Sequence, residues 1–90
     1  MYLSDSQRQI IVSACKNYRI KDCYVFGSYV KGNATANSDL DILISSFPHW
    51  RKMLANFRND LTYTLGMRID LFMVHAPSFV YDFDVVEKIV

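Results

Sequence analysis

The residues of this chain that could do chemistry fall in three places. Gly27-Ser28 is followed, ten residues on, by Asp39-Leu40-Asp41, and Asp70 stands inside an otherwise apolar run between Ile69 and Leu71. On a strand, side chains alternate between faces, so Asp39 and Asp41 point the same way, about 6.5–7 Å apart along the chain. Leu40, Ile42 and Ile44 then point the other way, toward a core. Two carboxylates on one face repel each other unless a cation lies between them. Asp70 carries the same cost in a buried setting. If the strand holding Asp70 pairs beside the strand holding Asp39 and Asp41, all three acids converge. Such a set of hard oxygen ligands suits Mg²⁺. Two ions held about 3.5–4 Å apart form a clamp for in-line phosphoryl or nucleotidyl displacement. Gly27 allows the close backbone approach that a phosphate needs. The N–H groups at a helix start, together with the Ser28 hydroxyl, would hold a triphosphate tail.

These residues have to be positioned by regular elements. Ser4-Asp5-Ser6-Gln7 is a capping-box pattern, with Ser4 as N-cap and Gln7 at the third helical position. Ile10, Ile11, Ala14, Cys15 and Tyr18 recur at helical spacing, which predicts a first helix over 5–18. Cys23-Tyr24-Val25-Phe26 is a short β-prone run ending at Gly27, a first strand. Tyr29-Val30-Lys31 forms one helical turn before Gly32, and 33–38 is small and polar, a loop. A second strand covers 39–44. Pro48 marks the next helix start, and Trp50, Met53, Leu54, Phe57, Leu61 and Leu65 trace its apolar stripe up to Gly66, the expected C-cap. A third strand covers 68–74. Pro77-Ser78 breaks it, and the tail 79–90, ending in Val85, Val86, Ile89 and Val90, is expected on a helix. The order α-β-turn-β-α-β-α predicts an α/β (α+β) domain: a small mixed sheet of three to four strands with helices packed on one face. No linker or repeat divides it, so residues 1–90 are expected to form a single domain.

Composition narrows the function. The chain has 90 residues, 51% of them apolar and 21% charged, which suits a compact core and excludes a disordered tail. The net charge of +1 argues against a nucleic-acid sponge or a polybasic membrane binder, so phosphate chemistry must come from a local site. Cys15 and Cys23 have neither the spacing of a zinc site nor the number of a disulfide framework, and read as half-buried reduced thiols. The start of the chain turns polar at once, and no apolar run is long enough to span a bilayer. A cytoplasmic location without membrane contact is the expectation.

Each part of the constellation is common alone, but the ordered set is not. Val25-Phe26-Gly27-Ser28-Tyr29-Val30-Lys31-Gly32, followed by Ser38-Asp39-Leu40-Asp41-Ile42-Leu43-Ile44, resembles the minimal nucleotidyltransferase family of the DNA polymerase β-like nucleotidyltransferase superfamily. The resemblance covers residues 5–75. It implies the nucleotidyltransferase fold, with two Mg²⁺ ions and ATP or another nucleoside triphosphate as substrate. It also implies transfer of a nucleoside monophosphate to a hydroxyl. By the same resemblance, Asp39 and Asp41 would bind both ions, and Asp70 would complete the catalytic metal site and act as the base. Gly27, Ser28, Lys31 and Ser38 would bind the nucleotide. Members often carry arginines in the turn after Gly-Ser. Here Tyr29 and Lys31 stand there, and Lys31 meets a phosphate as a point charge without the bidentate fork of an arginine.

Ninety residues leave no room for a domain that grips an acceptor. Stand-alone members of the family are often paired with a helical HEPN-type protein, as the antitoxin of a toxin–antitoxin module, and some transfer AMP to a tyrosine of that partner. A hetero-oligomer of this kind, or a homo-oligomer, is therefore expected, and direct nucleic-acid binding is not. Six Phe, six Tyr and one Trp are many to bury in a small domain. The apolar tail is either an interface or a cover for the sheet. The alternative function is a catalytically weak binding module that neutralises a helical partner by occlusion. A third is a sheet domain whose acids hold a structural cation. Arg68 faces the side of Asp70 and would meet a site carboxylate or a phosphate, and His75 is either a phosphate or acceptor contact or a strand-end histidine. His49 reads as a capping or surface residue. Arg51, Lys52 and Arg58 form either a solvated face or a shallow patch for an acidic or nucleic-acid partner.

Overall fold

The computed structural model of the chain describes residues 1–75 and 86–90. Its elements run α1 (Asp5–Tyr18), β1 (Cys23–Phe26), α2 (Ser28–Lys31), β2 (Leu40–Ser45), α3 (Trp50–Leu65), β3 (Ile69–Val74) and β4 (Val86–Lys88). The four strands form one mixed sheet in the order β3-β2-β1-β4. β1 runs antiparallel to β2 and to β4, and β2 runs parallel to β3. A parallel pair needs a long crossover, and α3 provides it.

Local sequence explains where the elements begin and end. The Ser4 hydroxyl accepts the Gln7 N–H at 3.1 Å, and the Gln7 side chain accepts the Ser4 N–H at 2.8 Å, so the expected capping box closes. Gly66 ends α3 in the left-handed conformation at φ 68°, its N–H bonded to the Thr62 carbonyl at 3.0 Å. His49 stands at the start of α3 with a positive φ of 60° and no side-chain cap bond. Its expected capping role is therefore not made, and its surface position is.

The core lies between the sheet and the pair α1 and α3. Ile11 and Cys15 of α1, Phe57 and Leu61 of α3, and Val25, Leu40, Ile42 and Ile44 of the sheet are fully buried. Burying each of the larger side chains contributes about 1.5–3 kcal/mol. Tyr18 holds α1 to α3 edge-on, its ring centroid 5.3 Å from that of Phe57. The inner strand β2 is apolar on both faces from Ile42 to Ile44: Leu43 is as buried as Ile42 and Ile44, on the side that carries the acid. Both cysteines are free and wholly buried rather than half-buried.

The tail corrects the sequence expectation. Residues 86–88, expected on a helix, form strand β4, with Tyr24 opposite Lys88, Val25 opposite Glu87 and Phe26 opposite Val86. The rest of the expected helix, 79–85, lies outside the described residues. Val85, Val86, Ile89 and Val90 are too few to separate a helical period from a strand. What decides is the free edge of β1, which β4 pairs. The Ile89 N–H bonds the Cys23 carbonyl at 2.8 Å, and Arg8 of α1 grips Glu87 at 2.8 Å.

Candidate active site

The acids meet at one end of the sheet, where β2 and β3 begin. The parallel register sets Asp41 of β2 directly beside Asp70 of β3. Their carboxyl groups come within hydrogen-bonding reach of one another. Asp41 is half-buried, whereas Asp39 and Asp70 are exposed. Burial, first, and then the charges of Asp70 and Asp39 push the Asp41 carboxyl above its ordinary range. The end of the sheet is thus short of positive charge, as the alternation argument anticipated.

Asp39 is engaged elsewhere. Its Oδ1 lies 2.9 Å from Nε of Arg68, and Nη2 of the same guanidinium donates to the Asn37 carbonyl at 3.2 Å. Of the two sequence readings of Arg68, this is the pairing with a site carboxylate. With Asp39 so held, no three His, Cys, Asp or Glu side chains among the described residues gather closely enough to hold an ion. The chemistry of the donor set still fits Mg²⁺: three carboxylates share one sheet end, and the half-buried one is destabilised by the other two.

The bend after β1 borders the same spot. Phe26 pairs with Asp41 across the β1–β2 ladder, so Gly27 arrives beside the acid. Its φ of 77° and ψ of −149° are open to glycine, and a Cβ there would collide with Oδ2 of Asp41. The sequence reading gave Gly27 to a phosphate. Its need to leave room for Asp41 was not readable, because that contact exists only once β1 and β2 are paired. Ser28 opens α2, and the Gly27 carbonyl accepts from the N–H groups of Val30 and Lys31, both at 3.1 Å. The first N–H groups of a helix have no partner within it and face outward from its start. Lys31 is exposed at the end of α2, while Tyr29 is buried in the core, so the two residues that replace the usual arginines do different things.

Ser38 is used locally. Its hydroxyl accepts the Thr35 N–H at 2.9 Å, and its own N–H reaches the Thr35 carbonyl at 3.0 Å, closing the turn that delivers Asp39. His75 is five residues beyond Asp70, about 16 Å along an extended strand. Its ring packs against Trp50 at 5.8 Å, the position of a strand-end histidine and not of a phosphate contact. Sequence reasoning missed the aromatic pair on the face of the acids: Phe26 and Phe72 lie 5.5 Å apart between centroids, and Phe72 is 42% exposed. The spacing of Phe72, two residues after Asp70, was the available signal. A groove of about 470 Å³ between α1 and α3 touches none of these acids. The site sits on an open sheet end.

A four-stranded mixed sheet backed by helices, with an acid pair fixed across a parallel ladder beside a Gly-Ser bend, defines the nucleotidyltransferase class of fold. The chain belongs to the family described as "Polymerase beta, Nucleotidyltransferase", whose sequence pattern matches residues 9–88. It is similar to the protein adenylyltransferase MntA of Thermococcus cleftensis, 37% identical over 60 residues that make up 64% of this chain and 60% of the relative. Curated relatives are thus matched over 58% and 60% of their own length. Among solved structures, a toxin–antitoxin crystal structure with AMP-PNP superposes with a TM-score of 0.70 at 19% identity, over 92% of this chain and 72% of that one. A toxin–antitoxin MntA-HpeT mutant superposes with a TM-score of 0.72 at 16% identity and the same coverage. At these identities the two structures establish the fold alone. Among the described residues no helix is long and apolar enough to cross a membrane.

Proposed function

We propose that the chain is a Mg²⁺-dependent nucleotidyltransferase that moves AMP from ATP to a hydroxyl group, the acceptor being a tyrosine of a HEPN-type helical toxin for which it is the antitoxin. The observation that carries this reading is the register of Asp41 against Asp70, with Asp39 on the same face and Gly27 pressed against Asp41. The names of its relatives support the chemistry, since the Thermococcus cleftensis protein is called an adenylyltransferase and one structural neighbour holds AMP-PNP within a toxin–antitoxin pair.

In this reading the Gly27 backbone, the start of α2 and the Ser28 hydroxyl hold the triphosphate. Lys31 adds a positive charge to that tail, and Ser38 borders the nucleotide while it fixes the turn. Asp39, Asp41 and Asp70 would hold two Mg²⁺ ions, whose charge offsets that of the triphosphate and acidifies the attacking hydroxyl. The acceptor oxygen forms a bond to the α-phosphorus as the bond to the bridging oxygen breaks and pyrophosphate leaves. The acceptor proton passes to the Asp70 carboxylate.

The test is incubation with labelled ATP, Mg²⁺ and a purified HEPN-type helical protein as acceptor. The wild type should add one AMP unit to that protein, and Asp41→Asn and Asp70→Asn should each lower the rate at least about 100-fold while keeping the fold. Undiminished transfer by both variants would remove the assignment. No AMP gain in a complex that still forms would leave neutralisation by occlusion.

A further inference from the structure

Arg68 lies outside the motifs that the resemblance assigns, yet it makes the most direct contact with any of the three acids. We infer that Arg68 is a positioning residue which competes with the divalent ion for Asp39: its guanidinium holds the carboxylate when no ion is bound and must release it when one enters. This rests on the nucleotidyltransferase reading, because it takes Asp39 as an ion ligand.

Three observations carry it. The Arg68 Nε–Asp39 Oδ1 distance is 2.9 Å, that of a charge-assisted bond. The same guanidinium donates to the Asn37 carbonyl, so it holds the loop as well as the side chain of the residue two positions on. And the backbone of Arg68, immediately before β3, is already fixed next to Asp39, since the Leu40 N–H bonds the Arg68 carbonyl at 2.9 Å. Arg68 therefore cannot drift away from Asp39 as a whole; only its side chain can leave.

The ion pair is well placed for exchange. The side chains of Arg68 and Asp39 are 77% and 44% exposed, so water screens the pair and its rupture costs little. A guanidinium bonded to Asp39 also lowers the negative potential that draws a cation to Asp41 and Asp70. The contact thus sets a threshold: weak enough to yield to an ion, strong enough to keep three carboxylates from facing one another without a counter-charge. Arg68 stands on the β3 side of the acids, opposite the Gly27–Ser28 bend that follows β1.

The experiment is titration of the full chain with Mn²⁺ in the absence of nucleotide, followed by electron paramagnetic resonance of the free ion. Arg68→Gln should bind Mn²⁺ about three- to five-fold more tightly than wild type, the fold-change expected for removing one screened charge pair. Arg68→Lys, which retains the charge, should stay near wild type, and the gain in Arg68→Gln should shrink at 0.5 M salt as screening shortens. Mn²⁺ affinity unchanged or weakened in Arg68→Gln, with Asp41→Asn still abolishing binding, overturns the role of Arg68 and leaves the metal site standing. Binding that Asp41→Asn does not alter overturns the metal site and this inference with it. Circular dichroism of each variant confirms that the comparison is between folded proteins.

Discussion

At the scale of single residues, Asp41 is the most constrained group of the site. It is half-buried, it faces two other carboxylates, and Gly27 is pressed against it. Its carboxyl is held above its ordinary range, so it is more protonated in the fold than in the unfolded chain. Below about pH 3.9 the group is neutral in both states and has no effect on stability. As pH climbs from there toward the raised native value, the unfolded chain ionises first and the cost to the fold builds up, and above the native value it persists in full at neutral pH. Asp41→Asn should therefore raise the melting temperature of the ion-free chain at pH 7 and not at pH 3. The rise should be at most about 5 °C, since solvent holds such half-exposed interactions below about 1 kcal/mol. Added Mg²⁺ should stabilise the wild type and not the variant, and differential scanning calorimetry at the two pH values reads both effects. Much of this residue-level picture was legible in the alternation of Asp39, Leu40 and Asp41. Arg68 was legible as a partner for a site carboxylate or a phosphate, but not which one, because the contact with Asp39, 29 positions away, forms only through the pairing of β2 and β3.

At the scale of elements, α1, β1 and β3 were legible to within a residue and α3 to within two, its start falling at Trp50 rather than Pro48, each for a local reason: a capping box, a β-prone run, a helical stripe, a closing glycine. β4 was not legible. Three residues carry no period, and their conformation is set by the unpaired edge of β1, a demand that comes from elsewhere in the chain. The consequence can be measured. Ile89→Pro removes the N–H that bonds the Cys23 carbonyl at 2.8 Å and leaves that acceptor only the longer bond from the Val90 N–H, at 3.2 Å. It should cost about 0.5–1.5 kcal/mol and speed hydrogen exchange at the Cys23 amide, which donates to the Val90 carbonyl. Unaltered exchange at Cys23 would mean that the strand does not protect this edge.

At the scale of the whole molecule, stability is limited by size. A chain of this length is expected to have about 5–13 kcal/mol in total. Phe57 is wholly buried between α1, α3 and the sheet and touches the rings of both Tyr18 and Phe47. Phe57→Ala should cost about 3–5 kcal/mol and carry the urea midpoint far toward zero, with binding of a partner recovering part of the loss. A small domain with its acids on an open sheet end gains from a partner that shields the site, which fits an acceptor carried by another protein.

The ladder between β2 and β3 has one more consequence, for quality control. Sliding β3 by a single step would swing Asp70 inward among Phe57 and Leu61 and push Ile69 or Leu71 outward. The error that separates Asp70 from Asp41 also ruins the hydrophobic seal. A population of such chains should contain working molecules and unfolded ones, with no sturdy but inert class between them.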